Sequence, residues 1–153
     1  ITAPRPRGPA VTVLDEWSSL YQHLTHEGFS SKPVLEGAGG AAAEAYAWAI
    51  ANPDKVDCLY GENPILRLSM SQTQPLDHLA ALANANVHIL HVCGSLDAWF
   101  ETQTQVAQQR YQALGGSMTV ITKEGEGHYP LAPWDVQPVV DFINNCVAAS
   151  DGQ

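Results

Sequence analysis

Basic side chains are scarce in this sequence. Seven lysines and arginines stand against 16 aspartates and glutamates, which gives a formal net charge of −9 at pH 7. A surface with this charge repels phosphate backbones, so we expect no nucleic-acid partner. Long apolar runs are missing as well. None approaches the roughly 20 residues that a membrane-spanning helix needs, and we therefore expect no membrane partner.

Cysteine is also rare, and the spacing of the three cysteines, Cys58, Cys93 and Cys146, suits no metal. This pattern predicts buried free thiols that act as small apolar side chains, and we expect no metal and no cofactor. The chain begins at Ile1 and shows no signal peptide. The compartment therefore stays open, and we expect a soluble protein that is either cytoplasmic or secreted after removal of an upstream segment.

The 153 residues suffice for one domain with a sizeable core. Residues 1–12 are rich in proline and predict an extended lead-in, and residues 13–148 predict one α/β domain. The predicted strands are 34–37, 56–61, 87–93 and 118–123, and the predicted helices cover 13–24, 41–51, a segment from Pro75, a segment that ends before Gly115, and a segment from Pro138. This alternation predicts a parallel sheet, in the spatial order of the chain, with helices on both faces.

Three of the predicted strands end in residues suited to chemistry. The first runs into the glycine turn of LEGAGGAAAEAYAWA, the third is followed by Asp97, and the fourth by His128 in a glycine-flanked loop. The carboxyl ends of parallel strands meet at one edge of a sheet, so we expect these loops to lie together. The turn alone also fits tight packing or a phosphate-binding loop, although the lysine of such a loop is missing.

Longer segments around these loops resemble the carboxyl-terminal part of the α/β-hydrolase superfamily. LEGAGGAAAEAYAWAIANPDKV resembles its strand, nucleophile elbow and helix, HILHVCGSLD the strand that bears its acid, and GEGHYPLAPWDVQPVVDFI its histidine loop and final helix. The resemblance implies a Rossmann-like three-layer α/β sandwich without the amino-terminal strands. The strand at 34–37 would then be an exposed apolar edge, so we expect a homodimer or a companion chain that supplies the missing strands.

The resemblance also implies a role for each matching residue. Asp97 matches the acid that orients the histidine, and His128 matches the base that accepts the nucleophile's proton. The nucleophile stands two residues after the first elbow glycine, Gly37, and this position is occupied by Gly39. Gly40 and Ala38 are candidates for backbone groups that bind an oxyanion or ligand. Candidates for the aromatic wall of a pocket are Trp99, Phe100 and Tyr129.

Glycine offers no nucleophile, so an acyl-enzyme cannot form at this position. The implied function is that of a protein derived from a carboxylic-ester (acyl) hydrolase, with weak or absent covalent catalysis and a small acyl or ester ligand. One alternative is a non-catalytic protein that binds a ligand or a protein through the same cleft. The other is a hydrolase in which His128 and Asp97 activate water directly.

A second group of histidines lies within the predicted third strand, VHILHVCG. We expect His88 and His91 to face the same side of the sheet, as a hydrogen-bonded or helix-covered pair and not as a metal site.

Overall fold

The computed structural model describes residues 12–67, 74–132 and 135–151. Most of the predicted lead-in, residues 1–11, lies outside the described residues, as does the stretch 68–73 before Pro75. The described elements, in chain order, are α1 (Val13–His26), β1 (Val34–Ala38), α2 (Ala41–Ala51), a 3-10 turn (Pro53–Lys55), β2 (Cys58–Glu62), a 3-10 turn (Pro75–Asp77), α3 (Ala80–Asn84), β3 (His88–Gly94), a π-helical turn (Phe100–Thr104), α4 (Gln105–Ala113), β4 (Met118–Lys123) and α5 (Gln137–Asp151).

The four described strands form one parallel sheet in the order β1-β2-β3-β4. The predicted sheet and its order are therefore confirmed. The reason is visible in the burial of the central strands, because every residue of β2 is buried and only the first residue of β3 is exposed. A strand covered on both sides can be apolar throughout, which suits a parallel sheet between helical layers.

Helices cover both faces of the sheet, as predicted. One face packs against α1, α2, α3 and α4, and the other face packs against α5. Alternate residues of one strand supply the two faces, since Ile89 of β3 joins the first cluster and Leu90 joins the second. No helix in the described part of the chain has both the length and the apolar character needed to cross a membrane.

The helix predicted from Pro75 is shorter than the apolar spacing indicated. The segment forms a 3-10 turn, Pro75–Asp77, and then a separate five-residue helix, α3. The break lies at His78, whose N–H donates to the carbonyl of Pro75 at 3.0 Å and closes the tight turn. Asp77 also forms ion pairs with Arg67 and Arg110, and these ion pairs hold the turn against neighbouring segments.

The prediction that Cys58 and Cys146 are free thiols is wrong. The two residues form a disulfide that joins β2 to α5, across 88 residues of sequence. The cause is the packing of α5 on the sheet, which brings the last helix over the start of β2; no local spacing reveals such a contact. Cys93 is free and buried, and this part of the prediction is confirmed.

The prediction that His88 and His91 face the same side of the sheet is also wrong. Residues three apart in a strand point to opposite faces. His88 is exposed at the start of β3, whereas His91 is completely buried on the side of α2. The Nε2 atom of His91 lies 2.7 Å from the hydroxyl oxygen of Tyr46, and no hydrogen-bond partner is found for its Nδ1 atom within the described residues.

Acid is expected to destabilise the chain through His91. Burial lowers the pKa of His91 from 6.5 to about 3, so the unfolded state binds more protons than the folded state between these two values. The free energy of unfolding therefore falls as the pH falls below 6.5, and His91 accounts for about 2 kcal/mol between pH 7 and pH 5.

Urea unfolding of the parent chain and of His91→Gln at both pH values measures this contribution. Glutamine does not titrate but retains an acceptor for Tyr46, so the pH dependence in His91→Gln should be smaller by this amount. Equal pH dependence in the two proteins would contradict the assignment.

Candidate active site

The glycine turn after β1 is a sharp strand-to-helix connection. Gly39 has a φ of +53°, and α2 begins two residues later. A Cβ atom on Gly37 would lie 2.4 Å from the Cα of Ala42, so only glycine permits this approach of strand and helix. The end of β2 fixes the turn, since Gly39 N–H donates to the carbonyl of Glu62 at 2.9 Å.

Asp97 lies in the turn that follows β3, and its side chain is only 1% exposed. Its Oδ1 atom accepts a hydrogen bond from the Trp99 N–H at 2.8 Å. Its Oδ2 atom lies 2.8 Å from Nδ1 of His128. Both carboxylate oxygens therefore have partners, and the carboxylate points at the histidine.

His128 comes from the loop after β4, and its side chain is 17% exposed. A carboxylate only accepts hydrogen bonds, so the contact with Asp97 places the proton of a neutral ring on Nδ1 and leaves Nε2 as the acceptor. The rings of Trp99 and Tyr129 meet the imidazole edge to face, with centroids 4.9 Å and 4.8 Å away. Two of the three predicted wall residues therefore touch His128.

Phe100, the third predicted wall residue, takes no part in these ring contacts. It is half-buried, opens the π-helical turn, and donates its N–H to the carbonyl of Asp97 at 3.0 Å. Its backbone supports the turn that carries Asp97, whereas the rings of Trp99 and Tyr129 contact His128.

Position 39 faces the free nitrogen of His128. A Cβ atom built on Gly39 would lie 3.4 Å from His128 Nε2 and 3.8 Å from Leu131 Cδ1. The three loops thus place Asp97, His128 and Gly39 in one line at the carboxyl end of the sheet. Gly39 has no side chain to point along this line.

Backbone donors stand beside position 39. Gly40 is the N-cap and Ala41 the first residue of the 11-residue helix α2, where N–H groups have no acceptor within the helix and the helix dipole favours negative charge. Ala38 is the last residue of β1 and is half-buried next to the turn.

No metal site is evident in the described ranges 12–67, 74–132 and 135–151. Within them, no group of three or more histidine, cysteine, aspartate or glutamate side chains is placed to hold a metal ion.

Many solved structures have the same fold. A scan against protein-family models gave no match, and neither did a search of curated proteins. A puromycin-hydrolysing peptidase from Mycobacterium tuberculosis superposes with a TM-score of 0.63 at 14% identity, over 89% of this chain and 24% of its own. The acyl-protein thioesterase 2 of Zea mays superposes with a TM-score of 0.64 at 15% identity, over 88% of this chain and 64% of its own.

A third structure agrees with these two. A variant of SOBER1 from Arabidopsis thaliana gives a TM-score of 0.66 at 14% identity, over 88% of this chain and 62% of its own. The chain has the fold of the α/β-hydrolases. It spans 24%, 62% and 64% of the three matched chains, so it corresponds to part of the hydrolase fold as those proteins have it.

A buried polar network behind the site was not predicted from the sequence. Lys123, the last residue of β4, forms an ion pair with Glu62 of β2 at 2.5 Å, and both side chains are at most 3% exposed. Lys123 Nζ also donates to the carbonyls of Pro130 and Ala132, both at 3.1 Å. The ion pair therefore anchors the loop that carries His128.

Tyr60 completes this network. Its hydroxyl donates to the second carboxylate oxygen of Glu62 at 2.5 Å. Burial, together with the neighbouring Glu62 carboxylate, raises the pKa of Tyr60, so the phenol keeps its proton and remains a donor. The alternation of Tyr60 and Glu62 on one face of β2 was the only available signal, and alone it is not specific.

Proposed function

We propose that this protein binds a small acyl or ester compound beside His128 and forms no acyl-enzyme with it. One observation carries the proposal: the side-chain position that faces His128 Nε2, 3.4 Å away, belongs to Gly39. Covalent acyl transfer needs a nucleophilic atom at this place, and a glycine backbone has none. The scaffold is that of an esterase-type hydrolase, and the present behaviour that we infer is binding.

The groups that remain suit an acyl ligand. The N–H groups at the start of α2 can receive a carbonyl oxygen, and His128 Nε2 can accept a hydrogen bond from an acid or alcohol group. Trp99 and Tyr129 offer apolar ring surface next to both, and Tyr129 is 71% exposed. An uncharged acyl group with an apolar substituent matches this combination of donors, acceptor and rings.

Hydrolysis by activated water is the second candidate, favoured by the absence of a side chain at Gly39. A water molecule beside Nε2 would give its proton to His128, and its oxygen would attack the ester carbonyl. The tetrahedral intermediate would then expel the alkoxide, which takes the proton from His128 and leaves as the alcohol. Asp97 would hold the charged imidazolium during the attack.

Binding is tested with N-phenylbutyramide, the hydrolysis-resistant amide analogue of phenyl butyrate. Titration into the isotope-labelled chain should shift the amide signals of Gly40 and Trp99 and the ring signals of His128. His128→Ala should weaken binding, while Tyr111→Phe, at the opposite end of the sheet, should not. Absence of shifts at millimolar ligand, or shifts confined to other surfaces, would refute the proposal.

Turnover of p-nitrophenyl acetate separates the two candidates. If the protein only binds the ester, p-nitrophenol should be released at the same rate as in buffer without protein. If His128 activates water, release should be faster and steady, without a burst, and the acceleration should be lost in His128→Ala.

The outer edge of β1 is a second surface with a proposed role. Among the described residues no strand pairs with this edge, and an apolar groove of about 270 Å³ beside it is lined by Val34 and by side chains of α1 and Phe29. Phe29 is 65% exposed. We infer that a second copy of the chain covers the groove and the edge. Sedimentation should show a dimer that Phe29→Ser weakens; a stable monomer in both proteins, with the amides of the β1 edge protected from hydrogen exchange, would contradict this inference.

The disulfide indicates in which compartment the protein is found. Disulfides persist mainly in oxidising compartments, so the pair Cys58–Cys146 favours secretion over a cytoplasmic location. A thiol reagent added to the chain unfolded without reductant should label Cys93 alone; three labelled thiols in protein from its natural source would contradict secretion.

A further inference from the structure

Asn63 is a fully buried polar residue whose side-chain hydrogen bonds, among the described residues, go to backbone groups and not to the side chains of Asp97 or His128. It follows β2 directly and has a φ of +42°. Asparagine tolerates this left-handed region better than most residues. A buried amide of this kind must be hydrogen-bonded to be stable, so its partners indicate its purpose.

The Asn63 amide connects the ends of three strands. Its Oδ1 atom accepts from the N–H of Gly94, the last residue of β3, at 2.8 Å. Its Nδ2 atom donates to the carbonyl of His128 at 2.6 Å and more weakly to that of Pro130 at 3.4 Å. One side chain at the end of β2 therefore fixes the acid-bearing strand and the backbone of the base.

The same short segment also holds the turn at position 39. Gly39 donates its N–H to the carbonyl of Glu62 and accepts from the N–H of Ile65, both at 2.9 Å. Asn63 lies between these two residues in the chain. Residues 62–65 therefore hydrogen-bond both to the turn at Gly39 and to the backbone of His128, and so they fix the distance between these two positions.

We propose that Asn63 is a positioning residue, which holds the backbone of His128 so that Nδ1 stays on Asp97 and Nε2 faces position 39. Lys123 supports the loop further along, at Pro130 and Ala132, whereas Asn63 bonds to the backbone of His128 itself. The role in ligand binding rests on the proposed function, but the alignment of the imidazole is a property of the unliganded chain.

Asn63→Asp removes the donor and keeps the acceptor, and it adds a carboxylate charge that the second variant below, Asn63→Gly, does not add. Aspartate also tolerates the left-handed backbone and keeps an acceptor for Gly94, but its carboxylate has no N–H for the carbonyl of His128. Tyr111→Phe is the matched control, because it removes one buried donor to a backbone carbonyl, that of Val87 at 2.6 Å. That hydrogen bond lies before the amino end of β3, at the opposite end of the sheet from His128.

The ring nitrogens of His128 provide the readout by NMR. The parent and Tyr111→Phe should show one tautomer, protonated at Nδ1, with slow exchange of that proton. Asn63→Asp should mix the tautomers and speed the exchange by about tenfold or more, since the hydrogen bond to Asp97 is no longer held. Asn63→Gly, which relaxes the backbone and removes the whole amide, should do the same if the aspartate variant does not fold.

A kinetic experiment combines the Asn63 substitutions with Gly39→Ser. Removal of the Asn63 amide there should lower the acylation rate constant by about 10- to 100-fold and change KM by less than about threefold, as expected for misplaced reacting groups. An unchanged tautomer and unchanged proton exchange in both Asn63 variants would overturn the proposal. Failure of the parent to bind N-phenylbutyramide, with the NMR changes present, would instead overturn the proposed function alone.

Discussion

Replacing Gly39 with serine is expected to give this chain a burst of product from an activated ester. A Cβ atom at position 39 lies 3.4 Å from His128 Nε2, so a hydroxyl on it is within reach of the base. The φ of +53° strains a serine by roughly 1–3 kcal/mol, which a folded elbow can hold. We expect p-nitrophenol release at least about 100-fold faster than from the parent, the scale of one well-placed proton acceptor.

Two variants control this experiment. Gly39→Ala adds the Cβ without the hydroxyl and should give no burst. Gly39→Ser combined with His128→Ala has the hydroxyl without the base and should lose the burst as well. A folded Gly39→Ser protein that gives no burst would contradict the alignment, and a burst from the parent chain would reveal a nucleophile elsewhere.

Replacing Lys123 with methionine is expected to be the most destabilising single change in the site. The ion pair between Lys123 and Glu62 is buried, and removal of one partner leaves a carboxylate uncompensated in the interior. Breaking such a pair costs about 3–5 kcal/mol, a large part of the total stability of a small domain. The carbonyls of Pro130 and Ala132 also lose their donor, so the His128 loop should loosen before the rest of the sheet.

Urea unfolding and hydrogen exchange measure the two parts of this effect. The double variant Lys123→Met and Glu62→Gln removes the orphaned charge and should recover part of the stability, while exchange near residues 130–132 stays fast. A Lys123→Met protein within about 1 kcal/mol of the parent would show that the pair is not important for stability.

The strands could be predicted from the sequence because each is a short apolar run between helical segments. HILHVCG stands out for this reason, and it became β3 with the expected neighbours. The parallel order follows from the helical connections. The helix after Pro75 was harder to predict, because the apolar spacing there continues across a 3-10 turn that ion pairs of Asp77 hold in place.

That Asp97, His128 and Gly39 lie close together could be predicted for a different reason. Each of them lies in the loop after a strand, and strand ends of a parallel sheet converge at one edge. Asn63 and Lys123 also lie at or next to strand ends, but ENP and ITK carry no motif that marks these residues as functional. Both side chains donate to backbone carbonyls of a distant loop. Every residue has a backbone carbonyl, so the sequence does not indicate which carbonyl a side chain will meet.

The disulfide illustrates the same limit. Cys58 lies in a strand and Cys146 in the last helix, and only the packing of α5 on the sheet brings them together. Spacing along the chain contains no such information, whereas an apolar run predicts its own burial. Long-range pairings therefore had to come from the structure.

The most direct measurement is the intact mass of the chain after treatment with a fluorophosphonate, which phosphonylates an activated serine. The parent should remain unlabelled, because Gly39 offers no nucleophile beside His128. Gly39→Ser should gain one phosphonyl group, located at position 39 by peptide mapping, and should lose it when His128 is also replaced by alanine. A labelled parent chain, or a folded Gly39→Ser variant that stays unlabelled, would contradict the view that this is a hydrolase site complete in its acid and base and lacking only its nucleophile.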